Sequence, residues 1–96
     1  PFTQDAFQSA MYLRLEKIDP ALNYRRWYVL SVQPTLFGEW GLIREWGRIG
    51  NNGGESDSAL YPSELDALSA CNGVKATKIR RGYVAQAEQL DLPLWG

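Results

Sequence analysis

The 96-residue sequence predicts an α+β fold, in which a small twisted antiparallel sheet of four to five strands carries one helix on one face. Three observations predict it. Alternating or β-branched segments, typical of strands, recur up to residue 61. Proline, glycine and asparagine separate these segments, as expected for turns. One segment with helical spacing then follows a serine N-cap signal.

Four segments are predicted to be strands. They alternate in polarity or are dense in β-branched and aromatic residues, and both patterns favour an extended backbone. The second segment is apolar on both faces, which places it in the centre of the sheet. A reversal rich in asparagine and glycine precedes the fourth. In chain order the strands cover residues 11–18, 24–33, 39–49 and 55–61.

The third strand carries an aromatic and a cationic side chain on one face. Trp46 and Arg48 share that face because side chains alternate along a strand. Gly41 and Gly47 lie on the other face, and glycine within a strand indicates close approach of another element. We therefore expect the helix to pack on the glycine face and the face of Trp46 and Arg48 to be open or shared with a loop.

The predicted helix begins after Ser63, a typical N-cap residue that is followed by acids in the first turn. Gly82 is the expected terminator, after a basic last turn. Helical spacing identifies the residues that should face the sheet. These residues are Ala67, Leu68, Cys71 and Val74.

The chain length corresponds to one small domain. We expect a domain at residues 10–83, between a flexible N-terminal tail at 1–9 and a C-terminal tail at 84–96. Leu36 and Phe37 are unusual in a turn, and we expect them to fold back onto the core.

Composition limits the classes of function. The net charge of −1 argues against a strongly basic nucleic-acid groove, although cations outnumber acids between residues 23 and 82. No apolar segment reaches the roughly 18 residues needed to cross a membrane, and we see no signal peptide. A single cysteine is compatible with a reducing compartment, so we expect a cytoplasmic protein.

The titratable residues do not suggest catalysis. The chain has no histidine, which is the commonest general base and the commonest zinc ligand. Cys71 has no base beside it and is expected to be a small core residue. No phosphate-binding or dinucleotide motif occurs. We therefore expect a non-catalytic protein without a metal or a small-molecule cofactor.

Residues 45–50, with the sequence Glu-Trp-Gly-Arg-Ile-Gly, resemble the signature of the WGR domain family. The segments 23–28, 33–40 and 78–83 also resemble this family, especially its bacterial stand-alone members. The resemblance covers about residues 11–83 and implies a twisted antiparallel sheet with one packed helix. Many members have Gln where this chain has Gly54, so the contact made by that side chain does not transfer.

The resemblance also implies a function. In DNA-dependent poly(ADP-ribose) polymerases the tryptophan of the motif packs against the sugar at a DNA strand terminus, and the arginine contacts DNA or neighbouring domains. By motif position these residues are Trp46 and Arg48. The 96 residues contain no catalytic domain, so signalling to an attached enzyme is not implied.

Two classes of binding partner are consistent with the sequence. The first is nucleic acid, such as a DNA end or nick. Its candidate binding residues are Trp46, Arg48, Arg44, Asn51, Lys78 and Arg80. The second is another protein, bound by the same face or by the tail segment Leu92–Trp95. Tryptophan on a strand is also commonly a packing residue, and a loop such as 51–54 is commonly a simple hairpin turn.

Overall fold

The computed structural model describes residues 11–86. The tail expected at residues 1–9 and the segment Leu92–Trp95 lie outside the described residues. Within residues 11–86 no helix has the length and apolar character that crossing a membrane requires.

Five antiparallel strands form one sheet in the order β4-β3-β2-β1-β5, with β2 in the centre as predicted. The helix α1 packs on one face of this sheet. The strands are β1 (Met11–Asp19), β2 (Tyr24–Pro34), β3 (Trp40–Arg48), β4 (Glu55–Tyr61) and β5 (Val84–Ala85). A short 3-10 helix (Pro20–Leu22) follows β1, and α1 covers Glu64–Arg80. The predicted α+β architecture is confirmed.

Strand β5 was not predicted. Its two residues pair with Leu15 and Glu16 of β1, and the N–H of Gln86 donates to the carbonyl of Arg14 at 2.9 Å. Two residues carry too little alternation to be read as a strand from sequence. The domain limits of 10–83 stay a prediction, although the sheet extends to Ala85.

Local residues determine where α1 begins and where it ends. The Ser63 hydroxyl accepts a hydrogen bond from the N–H of Asp66 at 3.1 Å, as an N-cap does. Gly82 adopts a φ of +100°, which favours glycine and ends the helix. Ala67 and Cys71 are fully buried against the sheet, so the predicted helix and its inner face are confirmed.

The face on which α1 packs differs from the expectation. The helix covers the face of Trp46, not the glycine face, and the buried core lies between them. Register explains the difference, because Leu42 pairs with Val32 and Trp46 pairs with Tyr28 on that same face. The apolar side chains of β2 therefore decide where the helix packs. The buried residues of this core are Leu15, Tyr28, Leu30, Val32, Leu42, Ala67 and Cys71.

Gly47 has a different role from the one expected. A Cβ at this position would lie 2.9 Å from Cζ2 of Trp27 and 3.0 Å from its Nε1. Gly54 is also close, since its Cβ would lie 2.9 Å from the same Cζ2 and would collide with the carbonyl of Trp46. The two glycines thus admit the Trp27 indole onto the face opposite α1. That face is called the open face below.

Leu36 and Phe37 do not fold back onto the core, and this expectation was wrong. They are 82% and 86% exposed. The Thr35 hydroxyl accepts hydrogen bonds from the N–H groups of Phe37 and Glu39, each at 3.2 Å, while the Thr35 N–H donates to the Glu39 carbonyl at 2.9 Å. The turn closes on its own backbone, so both apolar side chains point outward.

The surroundings of Gly54 and Gly73 predict that alanine changes stability in opposite directions at these two positions. Gly54→Ala should destabilise the fold by about 1–3 kcal/mol, because the new methyl group overlaps Trp27 and the backbone of Trp46. Gly73→Ala is the matched control. Gly73 lies within α1 with no atom within 4 Å of its added Cβ, so alanine should stabilise by about 0.5–1 kcal/mol. Urea denaturation measures both, and an unchanged midpoint for Gly54→Ala would contradict the close packing.

Candidate functional site

Trp46 lies where the core meets the surface. It faces Tyr28 across β2 and β3, and the two rings stack with centroids 5.8 Å apart and planes 13° apart. Tyr28 is 5% exposed, whereas Trp46 is half-buried. The indole therefore packs on the core with one part and borders two surface hollows with the rest.

The first hollow, of about 360 Å³, lies between the C-terminal end of α1 and the sheet. Aromatic rings and three cations, but no carboxylate, line it. The cations are Arg26, Arg44 and Lys78. Such a lining suits a ligand that carries negative charge beside a planar or apolar part.

The second hollow, of about 340 Å³, lies between Trp46 and the loop that follows β3. Arg26 and Trp46 line both hollows, so the two form one continuous surface. Arg48 and Asn51 line the second hollow, and Glu55 is the acid at its rim. The N–H of Asn51 donates to the Arg48 carbonyl at 3.2 Å and closes the turn.

Three cations lie side by side across the sheet. Lys17 of β1 pairs with Arg26 of β2, which pairs with Arg48 of β3, so all three share the face of Trp46. We call them the cation row. Like charges directly opposite in a sheet destabilise it. Within residues 11–86 the recorded ion pairs are Arg14–Glu16 and Arg44–Asp57, so no carboxylate lies within 4.0 Å of the cation row.

Local contacts hold the cation row in place. Arg48 donates to the carbonyl of Asn23 at 3.3 Å and to its Oδ1 at 3.2 Å. Asn23 adopts a φ of +54°, which asparagine tolerates better than most residues. Lys17 donates to the carbonyl of Arg81 at the end of α1 at 2.7 Å. The Arg26 guanidinium lies 5.4 Å from the Tyr24 ring centroid. Each cation keeps N–H groups for a ligand.

Arg44 differs from the cation row because its charge is compensated. Its Nε donates to Oδ1 of Asp57 at 2.8 Å, and a second hydrogen bond joins Nη2 to Oδ2. This forked pair lowers the pKa of the Asp57 carboxyl. Arg44 borders the first hollow, but it adds little net charge there.

Lys78 extends from α1 over the aromatic rings. Its Nζ lies 4.3 Å from the ring centroid of Tyr28 and 5.4 Å from that of Tyr83. Burial lowers the pKa of the Lys78 ammonium, and the charge of Arg81 lowers it further. Burial also raises the pKa of Tyr28 and raises the pKa of Tyr83 to about 12.

Most of the predicted site residues lie around this surface. Trp46, Arg48, Arg44, Asn51 and Lys78 line one or both hollows. Arg80 lines neither of them, and it donates to the Thr77 hydroxyl at 3.3 Å. The role of each residue in binding stays a prediction.

Sequence reasoning missed Lys17, Arg26 and the tyrosines. Alternation along β2 places Arg25 and Arg26 on opposite faces but does not say which face holds Trp46. The pairing of Arg26 with Arg48 decides this. Lys17 joins the row through the register of β1 with β2. Tyr83, which follows the helix, reaches the Tyr28 ring edge-on at 6.2 Å only because the chain turns at Gly82.

The fold and the site define a small five-stranded binding module with a cationic and aromatic surface at one end. The family model for the WGR domain matches residues 11–89, and the chain belongs to the WGR domain family. In proteins of the poly(ADP-ribose) polymerase type, the WGR domain is a module that binds nucleic acid.

A relative also matches the chain. It is named uncharacterized protein y4dW, from Sinorhizobium fredii (strain NBRC 101917 / NGR234). The two are 38% identical over 71 residues, which is 74% of this chain and 34% of that protein. The chain therefore spans about a third of the length of this relative.

The raised pKa of Tyr83 predicts how stability depends on pH. In the unfolded chain the phenol ionises near its ordinary pKa of 10.0, whereas the folded chain holds the proton up to about 12. The stability that the buried, protonated phenol contributes to the fold is fully present below pH 10 and is lost as the pH rises through 12. Wild type should therefore lose more unfolding free energy between pH 10 and 12 than Tyr83→Phe, as measured by urea denaturation.

Two features make this comparison specific. Lys78 acts in the opposite direction, because its pKa is lowered, but it is present in both proteins. The control is Tyr12→Phe on the open face, where the side chain is 59% exposed. Equal losses in wild type and Tyr83→Phe would contradict the burial of this phenol.

Proposed function

We propose that this chain binds DNA at a strand terminus, such as an end or a nick, through Trp46 and the cation row. The single observation that carries the proposal is the position of Arg26 and Arg48 beside Trp46, with Lys17 next in the row. No carboxylate of residues 11–86 forms an ion pair with any of these three cations. A strand terminus presents phosphates beside a sugar and base that have lost one stacking neighbour.

Each part of the site would make a different contribution. Packing of one aromatic ring against a nucleotide is worth roughly 1–3 kcal/mol. Guanidinium groups bind phosphate through charge-assisted, forked hydrogen bonds. Three phosphate contacts give an expected salt slope of about −2 to −3. This is a modest electrostatic contribution, in keeping with a chain of net charge −1.

The geometry favours a terminus over continuous duplex. Glu55 lies at the rim of the second hollow, and Asp57 compensates Arg44 next to the first. Both acids lie on β4, so they would repel a phosphate backbone that continued across this edge of the sheet. The ligand should therefore meet the protein at one point, and the affinity should be micromolar or weaker.

A matched pair of DNA substrates tests this proposal. One is a relaxed, covalently closed circular duplex, and the other is the same circle with a single nick. Binding measured by intrinsic tryptophan fluorescence at low salt should be at least several-fold tighter for the nicked circle. A blunt linear duplex with and without a 5′-phosphate then separates ends from nicks. Equal affinity for both circles would contradict recognition of a terminus.

Neighbouring arginines supply matched protein variants. Arg26→Gln should weaken binding to the nicked circle by about tenfold, which corresponds to about 1.4 kcal/mol, and should make the salt slope shallower by about one. Arg25→Gln removes the same charge from the open face and should leave both quantities nearly unchanged. Equal effects of the two substitutions would show that net charge alone, rather than the cation row, determines binding.

A second candidate function is protein binding. The observation that favours it is the exposure of Leu36 and Phe37, at 82% and 86%, on a turn closed by its own hydrogen bonds. Exposed aromatic anchors on rigid turns are typical of protein interfaces. The turn joins β2 to β3 at the end remote from Arg48. Phe37→Ser should therefore leave DNA binding unchanged.

A further inference from the structure

Strand β4 forms one edge of the sheet. It pairs only with β3 among the described residues, in a regular register from Glu55 to Tyr61 without a bulge. Residues 55–60 are exposed. The strand contains neither proline nor lysine, the residues that natural edge strands use to prevent further pairing. Among residues 11–86, β4 is therefore an edge with capacity for another strand.

The ladder shows which backbone groups of β4 point outward. The N–H of Ile49 donates to the carbonyl of Arg25, so these two residues form a hydrogen-bonded pair between β3 and β2. Hydrogen-bonded pairs alternate along antiparallel strands. Odd-numbered residues of β3 therefore bond to β2. The even-numbered residues of β3 point the other way and bond to odd-numbered residues of β4. The N–H and C=O groups of Ser56, Ser58 and Leu60 consequently point away from the sheet.

We propose that two copies of this chain pair through their β4 edges, antiparallel to one another, about a two-fold axis at Ser58. The two sheets then form one continuous sheet. Ser58 pairs with its own counterpart, and Ser56 pairs with Leu60 of the second copy. These are the residues with outward backbone groups, and their three pairs supply about six hydrogen bonds.

The side chains of β4 are compatible with this register. Asp57 lies opposite Ala59 of the second copy, and Glu55 lies opposite Tyr61, so no acid faces an acid. Asp57 also remains ion-paired with Arg44 within its own copy. A shift of two residues in one direction would set Asp57 opposite Asp57. A shift in the other direction would leave Glu55 and Ser56 unpaired, so the register at Ser58 is favoured.

The helices do not obstruct this pairing. A two-fold axis perpendicular to the sheet keeps both copies of α1 on the same side. The helix packs over β2 and β3 and also touches β4. With a strand spacing of about 4.8 Å, the two helix axes lie roughly 14–19 Å apart, whereas one helix is about 10–12 Å across. The groove between them borders on Ala59, Tyr61 and Val74 of each copy.

The pairing adds a residue to the candidate site. Glu55 lies on the rim of the hollow beside Trp46, and Tyr61 of the second copy lies directly opposite Glu55. Each hollow would thus be bordered by a ring from the other copy, and the two hollows would lie at opposite ends of the interface. The self-association itself does not depend on DNA binding.

Pairing of one seven-residue edge buries less surface than a standard stable interface. The dimer is therefore reversible, with a dissociation constant of roughly tens to hundreds of micromolar. Sedimentation velocity across this concentration range, without DNA, tests it. The weight-average mass should rise from 10.9 kDa towards twice that value.

Charge at the axis makes the test specific. Ser58→Lys and Ser58→Glu each place like charges opposite one another, so each variant alone should stay monomeric. An equimolar mixture should associate at least as strongly as wild type, because lysine then faces glutamate. Ser58→Gln is the control, since it places a neutral side chain of similar length at the axis, and it should still dimerise. Far-ultraviolet circular dichroism confirms that every variant is folded.

The alternative results are distinct. Wild type that remains monomeric to several hundred micromolar overturns the proposal. Dimerisation of Ser58→Lys alone at wild-type strength overturns the register, as does a mixture that fails to associate. These outcomes are independent of the DNA titrations, which are carried out at concentrations where the chain is monomeric.

Discussion

The stacked pair of Tyr28 and Trp46 determines the arrangement of the functional end of this molecule. The two residues are partners across β2 and β3, and their rings lie 5.8 Å apart. Because Tyr28 is buried in the core, the stack holds the Trp46 indole at a depth where it is half covered. Lys78 approaches the Tyr28 ring, and the cation row crosses β2 and β3 two residue pairs further along.

The distribution of charge explains how an acidic chain can present a cationic site. Arg44 is compensated by Asp57, and Arg14 by Glu16 on the open face. The cation row has no such carboxylate among the described residues. Its members Arg26 and Arg48 border Trp46, and Glu55 and Asp57 lie on one side of it, along β4. A short cationic segment with acids on one side suits one phosphate-bearing terminus better than a long duplex.

Much of the fold could be predicted from local signals. Alternation identified four strands, and the serine cap with Ala67 and Cys71 identified the helix and its inner face. Which sheet face the helix covers was predicted wrongly, because strand glycines were taken as its contact when they admit Trp27. Arg26 and Lys17 were missed because their place depends on strand register. Register arises from pairing between distant segments, which a single strand's pattern does not contain.

The most direct test of the account maps the contact surface residue by residue. Amide and indole NMR shifts of the ¹⁵N-labelled chain, followed during titration with a nicked duplex, would locate the ligand. The account predicts that the largest changes fall on the Trp46 indole N–H and on Lys17, Arg26, Arg48 and Asn51. Changes centred on the open face, at Tyr12 and Ile18, or on the turn at Phe37, would contradict it.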